Sequence, residues 1–553
     1  MRSPCLFNAG QTLTASLKED IMRFMNKTAT VEPSRNGRAG KDLLAASLFV
    51  VLTVVMTYPV ILNPASSIPG DLGDPLLNVW ILAWDAHKIM QGDLWGLFSA
   101  NIFYPSKHTL AYSEHMFSSA VFALPFIALF KNPVLAYNIL FLAGISLSGF
   151  GMYLLTSYLT GDRNASFCAG AIYAFFPWRF AHLSHLQLEM AQWIPFTFLY
   201  LHKFAVSGRY RHLLPFMAFF TLQSLSCGYY AVFLSFFVAL FMVMEVYRRG
   251  LRDREFIFKL GLFLLISGAF ILPFFYPYIK LKHESGFTRT IDESIYFSAD
   301  IFSYLSAPRI NRLYGNITGT FWKPEGELFL GFTAMLLAAI GIMNPAGKKL
   351  RDGHSGAPPA RTVYSKIFFW ISVAVFAGSL AVVIIIITSG GIDSRISGVH
   401  VRIKRLPLPL ALAVISGFMP LMMTGRFRAF IRRAFSIFRQ PERRFYFIVL
   451  VLSVLFTFGP VIHIYDKEAF YGPYMLLYKF FPGFSGLRVP SRFIIMATAA
   501  LSVLAAFGAA RILGRFNGPI KKAAVAAALS AMILLESASI PVPAPSIAVG
   551  NEI

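Results

Sequence analysis

Residues 133–159 read PVLAYNILFLAGISLSGFGMYLLTSYL, 27 positions without one charged side chain. A helix of about 20 mostly apolar residues crosses about 30 Å of hydrocarbon, and in that layer a helix pairs its own amides where no water can. The stretch therefore predicts a membrane-spanning helix. Outward from it the pattern recurs, at 43–62 before it and after it at 165–178, 188–206, 212–226, 228–247, 256–278, 327–343, 366–388, 407–424, 445–462, 493–512 and 522–540. These make 13 spans and an all-α polytopic membrane body over residues 43–540. Residues 1–42 precede it as a cytoplasmic segment, 63–132 form the first outer loop, and 541–553 read as an extended, Pro-rich outer-face tail without a core. Met116 to Phe130 is apolar but short and interrupted by Pro125, and reads as an interfacial helix. The polar stretches 344–361 and 389–407 read as linkers too short to be domains.

Composition agrees. Of 553 residues 56% are hydrophobic and 14% charged, against about 25% charged in an ordinary soluble domain. A soluble cytoplasmic enzyme and a disordered chain are excluded. Three cysteines, Cys5, Cys168 and Cys227, give no disulfide framework. Charged residues occupy the first forty or so positions, the reverse of a cleavable signal peptide, so insertion is expected to begin at the first span.

The net charge is +23. With the first 42 residues inside, nearly two thirds of the 50 Lys and Arg fall in inner loops, and the 27 acidic residues lean outward, as the positive-inside rule requires. A positive inner face suits anionic lipid headgroups, not nucleic acid. Its densest part is the stretch through Arg426, Arg432, Arg433, Arg443 and Arg444, which reads as a topological anchor or an amphipathic inner-leaflet segment.

Polar chemistry collects on the outer loops. The first holds Asp71, Asp74, Asp85, Asp93 and Glu114. Asp74 before Pro75 is an N-cap signature, and a carboxylate held at the loop mouth also suits a general base. Asp71 stands beside flexible glycines, where a side chain can approach a ligand. Asp85 and Lys88, at i and i+3 on a short helix, read as a surface ion pair. Tyr104, Glu114 and His115 place aromatics beside carboxylates, which suits a sugar ring, although aromatics are expected at a membrane interface in any case.

A second group lies in FPWRFAHLSHLQLEMAQW, residues 176–193, where Arg179, His182, His185, Glu189 and Gln192 recur at helical spacing. This spacing predicts one polar helix face. It fits a substrate pocket or a hydrogen-bonded network, and His182, His185 and Glu189 could offer three metal ligands, with no fourth evident. The third group is KFFPGFSGLRVPSRF, residues 479–493. Its Arg488 and Arg492 suit a phosphate or snorkel to headgroups; Lys280 is a weaker candidate for the same task.

The phrases GDLGDPLLNVW (70–80), FPWRFAHLSHLQ (176–187) and PGFSGLRVPSRF (482–493) resemble the GT-C class of integral-membrane glycosyltransferases, including bacterial GT-C-like proteins of the YfhO-like group. The resemblance covers most of residues 43–540 and implies juxtamembrane helices in the first outer loop. It also implies an inverting transferase that moves a sugar from a polyprenyl-phosphate donor to a hydroxyl of a glycan, lipid or protein. The place would be the outer face of a bacterial cytoplasmic membrane. Asp74 or Asp71 would be the catalytic carboxylate, and Glu189 is the nearest match to a second acidic residue. Asp85, Tyr104, Glu114, His115, Arg179, His182, His185 and Glu189 are the substrate-binding candidates, and Arg488, Arg492 and Lys280 the lipid-phosphate candidates. The lipid-linked sugar is a co-substrate; no resident cofactor is expected, a divalent metal being the minor alternative. Membrane lipids are the remaining partners. The competing readings are a transporter or flippase of lipid-linked glycans and a non-catalytic envelope scaffold. Few ionisable residues fall mid-span, which counts against a coupled transporter.

Overall fold

The computed structural model describes residues 35–250, 253–286, 289–321, 323–343, 363–389, 392–396, 399–403, 407–422 and 440–547. It divides into Met1–Leu48, helical from Arg35 onward, and Phe49–Ile553. The second unit carries the candidate site described below.

The chain is mostly helical. Its long helices are α1 (Arg35–Met56), α2 (Asp74–Met90), α3 (Phe117–Phe130), α4 (Pro133–Thr160), α5 (Arg163–Phe175), α6 (Trp193–Ser207), α7 (Tyr210–Ser226) and α8 (Gly228–Arg249). They continue as α9 (Arg254–Ser285), α10 (Phe332–Ile342), α11 (Val363–Ser389), α12 (Pro407–Met422), α13 (Pro441–Thr457), α14 (Ile494–Leu513) and α15 (Pro519–Ser537). Each apolar run of the sequence carries a helix. Among the described residues, α1, α4, α8, α9, α11 and α14 are long and apolar enough to cross a membrane, while α3, α10 and α12 are apolar but shorter. Almost the whole of α14 is buried, whereas α9 and α11 leave most of their apolar surface open, as helices facing lipid do.

Small residues let these helices approach. The ring of Phe49 lies where Cβ atoms on Gly149 and Gly170 would be. Gly341 of α10 and Gly508 of α14 meet backbone to backbone, each filling the space over the other helix's Leu504 or Leu337 carbonyl, a small-residue packing familiar from membrane helix pairs. Beside this contact Arg511 donates to Met343 O at 2.6 Å and Arg443 to Gly341 O at 3.3 Å. Two guanidinium groups thus satisfy the carbonyls that end α10.

The names outer and inner are kept from the sequence reading for the loops at the two ends of the helices, and hydrogen bonds join loops within each group. In the outer set, Ile68 N donates to Pro545 O at 3.2 Å and Tyr478 Oη to Arg289 O at 3.3 Å. In the inner set, Lys259 Nζ donates to Gly208 O at 2.6 Å.

Three expectations need correction. The run 445–462 is not helical throughout: α13 stops at Thr457, and Val461–Ile464 (β1) pairs antiparallel with Lys467–Tyr471 (β2). Tyr465 and Asp466 form its two-residue turn with φ of 52° and 60°, the primed geometry that Asn-Gly usually supplies. The stretch 389–407 is also more than a linker, because Ile392–Ile396 (β3) pairs with Val399–Ile403 (β4). The segment after α15 is not a loose tail, since Val542 is buried and its neighbours bond to the first outer loop. The linker 344–361 and most of the arginine stretch, residues 423–439, lie outside the described residues.

Candidate active site

The first outer loop rests on the turn after Ala181. Gly70 has φ +96°, and a Cβ there would collide with Ser184. Ser184 Oγ donates to Asp71 Oδ2 at 2.8 Å, and Asp71 Oδ1 accepts from Gly73 N at 2.7 Å. Both oxygens of Asp71 therefore shape the loop.

Asp74 is not the cap its sequence suggests. The N-cap is Gly73, Asp74 is the first residue of α2, Pro75 follows, and Asp74 makes no side-chain capping bond. Its carboxylate instead accepts from His185 Nε2 at 3.0 Å and remains 57% exposed. That hydrogen bond holds Asp74 below the usual carboxylate range; partial burial opposes it, and the positive charges of His185, Arg492 and Arg488 add to it.

The stretch 176–193 is not one striped helix either. It forms two short helices, Pro177–Ala181 and Leu186–Glu189, joined through tight turns at His182 and His185. The break separates the polar residues into two jobs. Arg179 and Glu189 turn inward and pair at 2.7 Å with essentially no exposure, Arg179 also reaching Ser148 Oγ at 3.2 Å. Glu189 is thereby bound to Arg179 and does not present a carboxylate alongside the two histidines. His182 and His185 face the outer loops, their rings 5.6 Å apart.

His182 stacks on Trp178 with ring centroids 4.1 Å apart. Its Nδ1 is 3.0 Å from Trp178 O and its Nε2 is 2.7 Å from Glu325 Oε2. Both neighbours are acceptors, so full pairing needs both ring protons. Burial pulls the imidazole below its ordinary value, with Glu325 pulling the other way.

Glu325 is the residue that sequence reasoning missed. It lies between Pro324 and Gly326 with φ +59°, and Oε1 accepts from Arg492 Nη2 at 2.5 Å. Although burial alone would raise it, Arg492 and His182 hold its carboxyl well below the usual range. A left-handed glutamate costs about 1–2 kcal/mol, and the two ion pairs keep it in place. The available signal was an acidic residue in a Pro-Glu-Gly turn on an outer loop.

The two arginines differ. Arg492 is buried, compensated by Glu325, and lies over the Tyr229 ring at 4.7 Å. Arg488 is half-buried over the Phe297 ring at 5.0 Å and has no carboxylate partner among the described residues. Glu114 approaches the same corner, accepting from Gly228 N at 2.7 Å at the start of α8. Burial raises the Glu114 carboxyl, with that amide opposing.

The remaining candidates stand apart. Asp85 is fully buried, both its oxygens lack a hydrogen-bond partner, and burial pushes its carboxyl well above the usual range. Its expected pairing with Lys88 does not occur, because Lys88 reaches Asp93 at 2.7 Å while Asp85 turns to the protein side of α2. His115 is enclosed by Phe98, Phe274, Phe275 and Tyr278, and burial pulls it down to about 3. Tyr104 is almost wholly exposed. Lys280 pairs along α9 with Glu284 at 3.7 Å.

Asp74, His185, His182, Glu325 and Arg492 thus form one chain of contacts drawn from four outer segments, with Arg488 at its edge. It offers an exposed carboxylate with a lowered pKa, a carboxylate-free guanidinium, and between them a rigid ion-paired wall. No protein-family model matches the chain and no curated protein matches it.

Proposed function

We propose that the chain is a GT-C-type glycosyltransferase that moves a sugar from a polyprenyl-phosphate donor to a hydroxyl acceptor at the outer face of a bacterial cytoplasmic membrane. The observation that carries this reading is the run of contacts from Asp74 through His185, His182 and Glu325 to Arg492, which gathers loops more than four hundred positions apart four residues from Arg488.

Asp74 suits the base better than Asp71, whose oxygens are both engaged in the loop. The acceptor hydroxyl oxygen attacks the anomeric carbon as its proton passes to Asp74, and the bond from that carbon to the phosphate oxygen breaks. The electron pair leaves with the lipid phosphate, whose growing charge Arg488 neutralises. One displacement inverts the anomeric centre. Arg492 supports the site through Glu325 and His182 and leaves the phosphate to Arg488. A donor chain lying along the apolar helices brings its phosphate to the level of these loops.

The test is transfer of labelled sugar from a polyprenyl-phosphate donor by purified protein in liposomes. Asp74→Asn should reduce transfer at least a hundredfold, on the order of a general base's contribution, with the fold intact. Donor translocation without transfer would instead mark a flippase and overturn this reading.

A further inference from the structure

The segment after α15 alternates proline with other residues, PVPAPS over 541–546, and it touches both loops that carry the site. Towards the Glu325 loop, Asn311 Nδ2 donates to Glu536 O at 2.8 Å, Arg312 N to Ala538 O at 2.8 Å and Arg312 Nε to Ile540 O at 2.7 Å. The Glu536 carboxylate also accepts from Thr333 N and Oγ1 at the start of α10. The stretch that carries Glu325 is therefore held on both sides along the chain, at 311–312 and at 333. Towards the first outer loop and the chain just before it, Val542 N donates to Tyr58 O at 2.9 Å, Gly70 N to Pro543 O at 2.9 Å, Ile68 N to Pro545 O at 3.2 Å and Ile547 N to Ser66 O at 2.7 Å. Ser67 and Ser546 face each other as an antiparallel bridge. Gly70 is the residue seated on Ser184, one position before Asp71 and four before Asp74.

We infer that residues 536–547 are a staple that sets the spacing between the Asp74 loop and the Glu325 loop, and so act as a positioning element of the active site. The alternating prolines suit the task. Pro543 and Pro545 have no N–H, yet their carbonyls accept from Gly70 and Ile68, so the segment pairs with one loop and cannot template further strands. Fixed φ angles also reduce the freedom the segment loses on docking. The first outer loop needs such a support because residues 63–73 form no regular helix or strand. The positioning claim rests on the glycosyl-transfer reading; the staple itself does not.

The test uses the full chain with Val542→Pro and Ile547→Pro, which removes the N–H donors to Tyr58 and Ser66. Spin labels on Leu72→Cys and Ile317→Cys, both exposed positions, report the separation of the loops. The parent should give one narrow distance distribution and the double variant a broad one. Sugar transfer should fall roughly tenfold to a hundredfold, the penalty of a misplaced catalytic group. The acid limb of its pH profile should move up towards ordinary aspartate, because Asp74 loses the fixed bond from His185. Ser67→Cys with Ser546→Cys, once oxidised, should restore both readouts. An unchanged distance distribution overturns the staple. A broadened distribution with unaltered rate and pH profile overturns its positioning role. A parent chain that transfers no sugar defeats the glycosyltransferase reading, and the spin-label distances still decide the staple.

Discussion

Replacing Glu325 tests whether its ion pairs or its backbone dominates the site. The side chain compensates Arg492 at 2.5 Å and meets His182 at 2.7 Å in a mostly buried place. Removing one partner of a buried pair costs about 3–5 kcal/mol, because the other charge is left uncompensated. Glu325→Ala should lose about that much. Glu325→Gly loses the same pairs but sheds the strain of φ +59°, worth about 1 kcal/mol, so glycine should be the more stable of the two. The usual order, in which glycine is worse than alanine, is reversed. Detergent-solubilised variants compared by thermal unfolding would show both falling by several degrees, alanine further. Acid adds a second check. A carboxylate whose pKa is depressed on folding stabilises the chain above its unfolded value, about 4.3, and that stability is lost as pH falls through the depressed folded pKa. The parent should lose its advantage over Glu325→Gln only in that acid window. An alanine variant as stable as the parent, or more stable than the glycine variant, would refute the account of Glu325.

Three further outcomes follow from the same geometry. The acid limb of transfer should lie below the ordinary aspartate range, because the bond from His185 depresses Asp74, and His185→Phe should move it upward; a pH–rate profile of both proteins decides this. Arg488→Ala should weaken donor use with little change in melting temperature, whereas Arg492→Ala should lower stability by about 3–5 kcal/mol through the stranded Glu325; donor kinetics and thermal unfolding separate the two. Gly70→Ala should disrupt the first outer loop, since φ +96° and the contact with Ser184 both exclude a methyl group, and protease cleavage within 63–74 should accelerate.

What the sequence made legible was set by period and by charge. Each apolar run carries a helix because burial and amide pairing both select one. Asp74, His182, His185, Arg488 and Arg492 were visible as polar residues on loops expected outside. Their partners were not, because partnership is a tertiary property. Glu189 looked equivalent to the histidines by spacing, yet the break after Ala181 turned it inward to Arg179. Asp85 looked paired with Lys88 by the i, i+3 rule, yet it is buried while Lys88 turns the other way along the chain to Asp93. The β1–β2 hairpin escaped notice because Tyr465-Asp466 carries no glycine. Glu325 lacked any periodic neighbour that would have drawn attention to it.

The glycine contact between α10 and α14 has a mechanical consequence. Arg492 stands just before α14, and Glu325 precedes α10 by a short extended stretch, while Gly341 and Gly508 hold the far ends of the two helices together. The helices therefore form one closely packed pair, tied at the outer end by a carboxylate–guanidinium grip. Bulky replacements at Gly341 or Gly508 would be felt at the outer surface, a full helix length from where they are made.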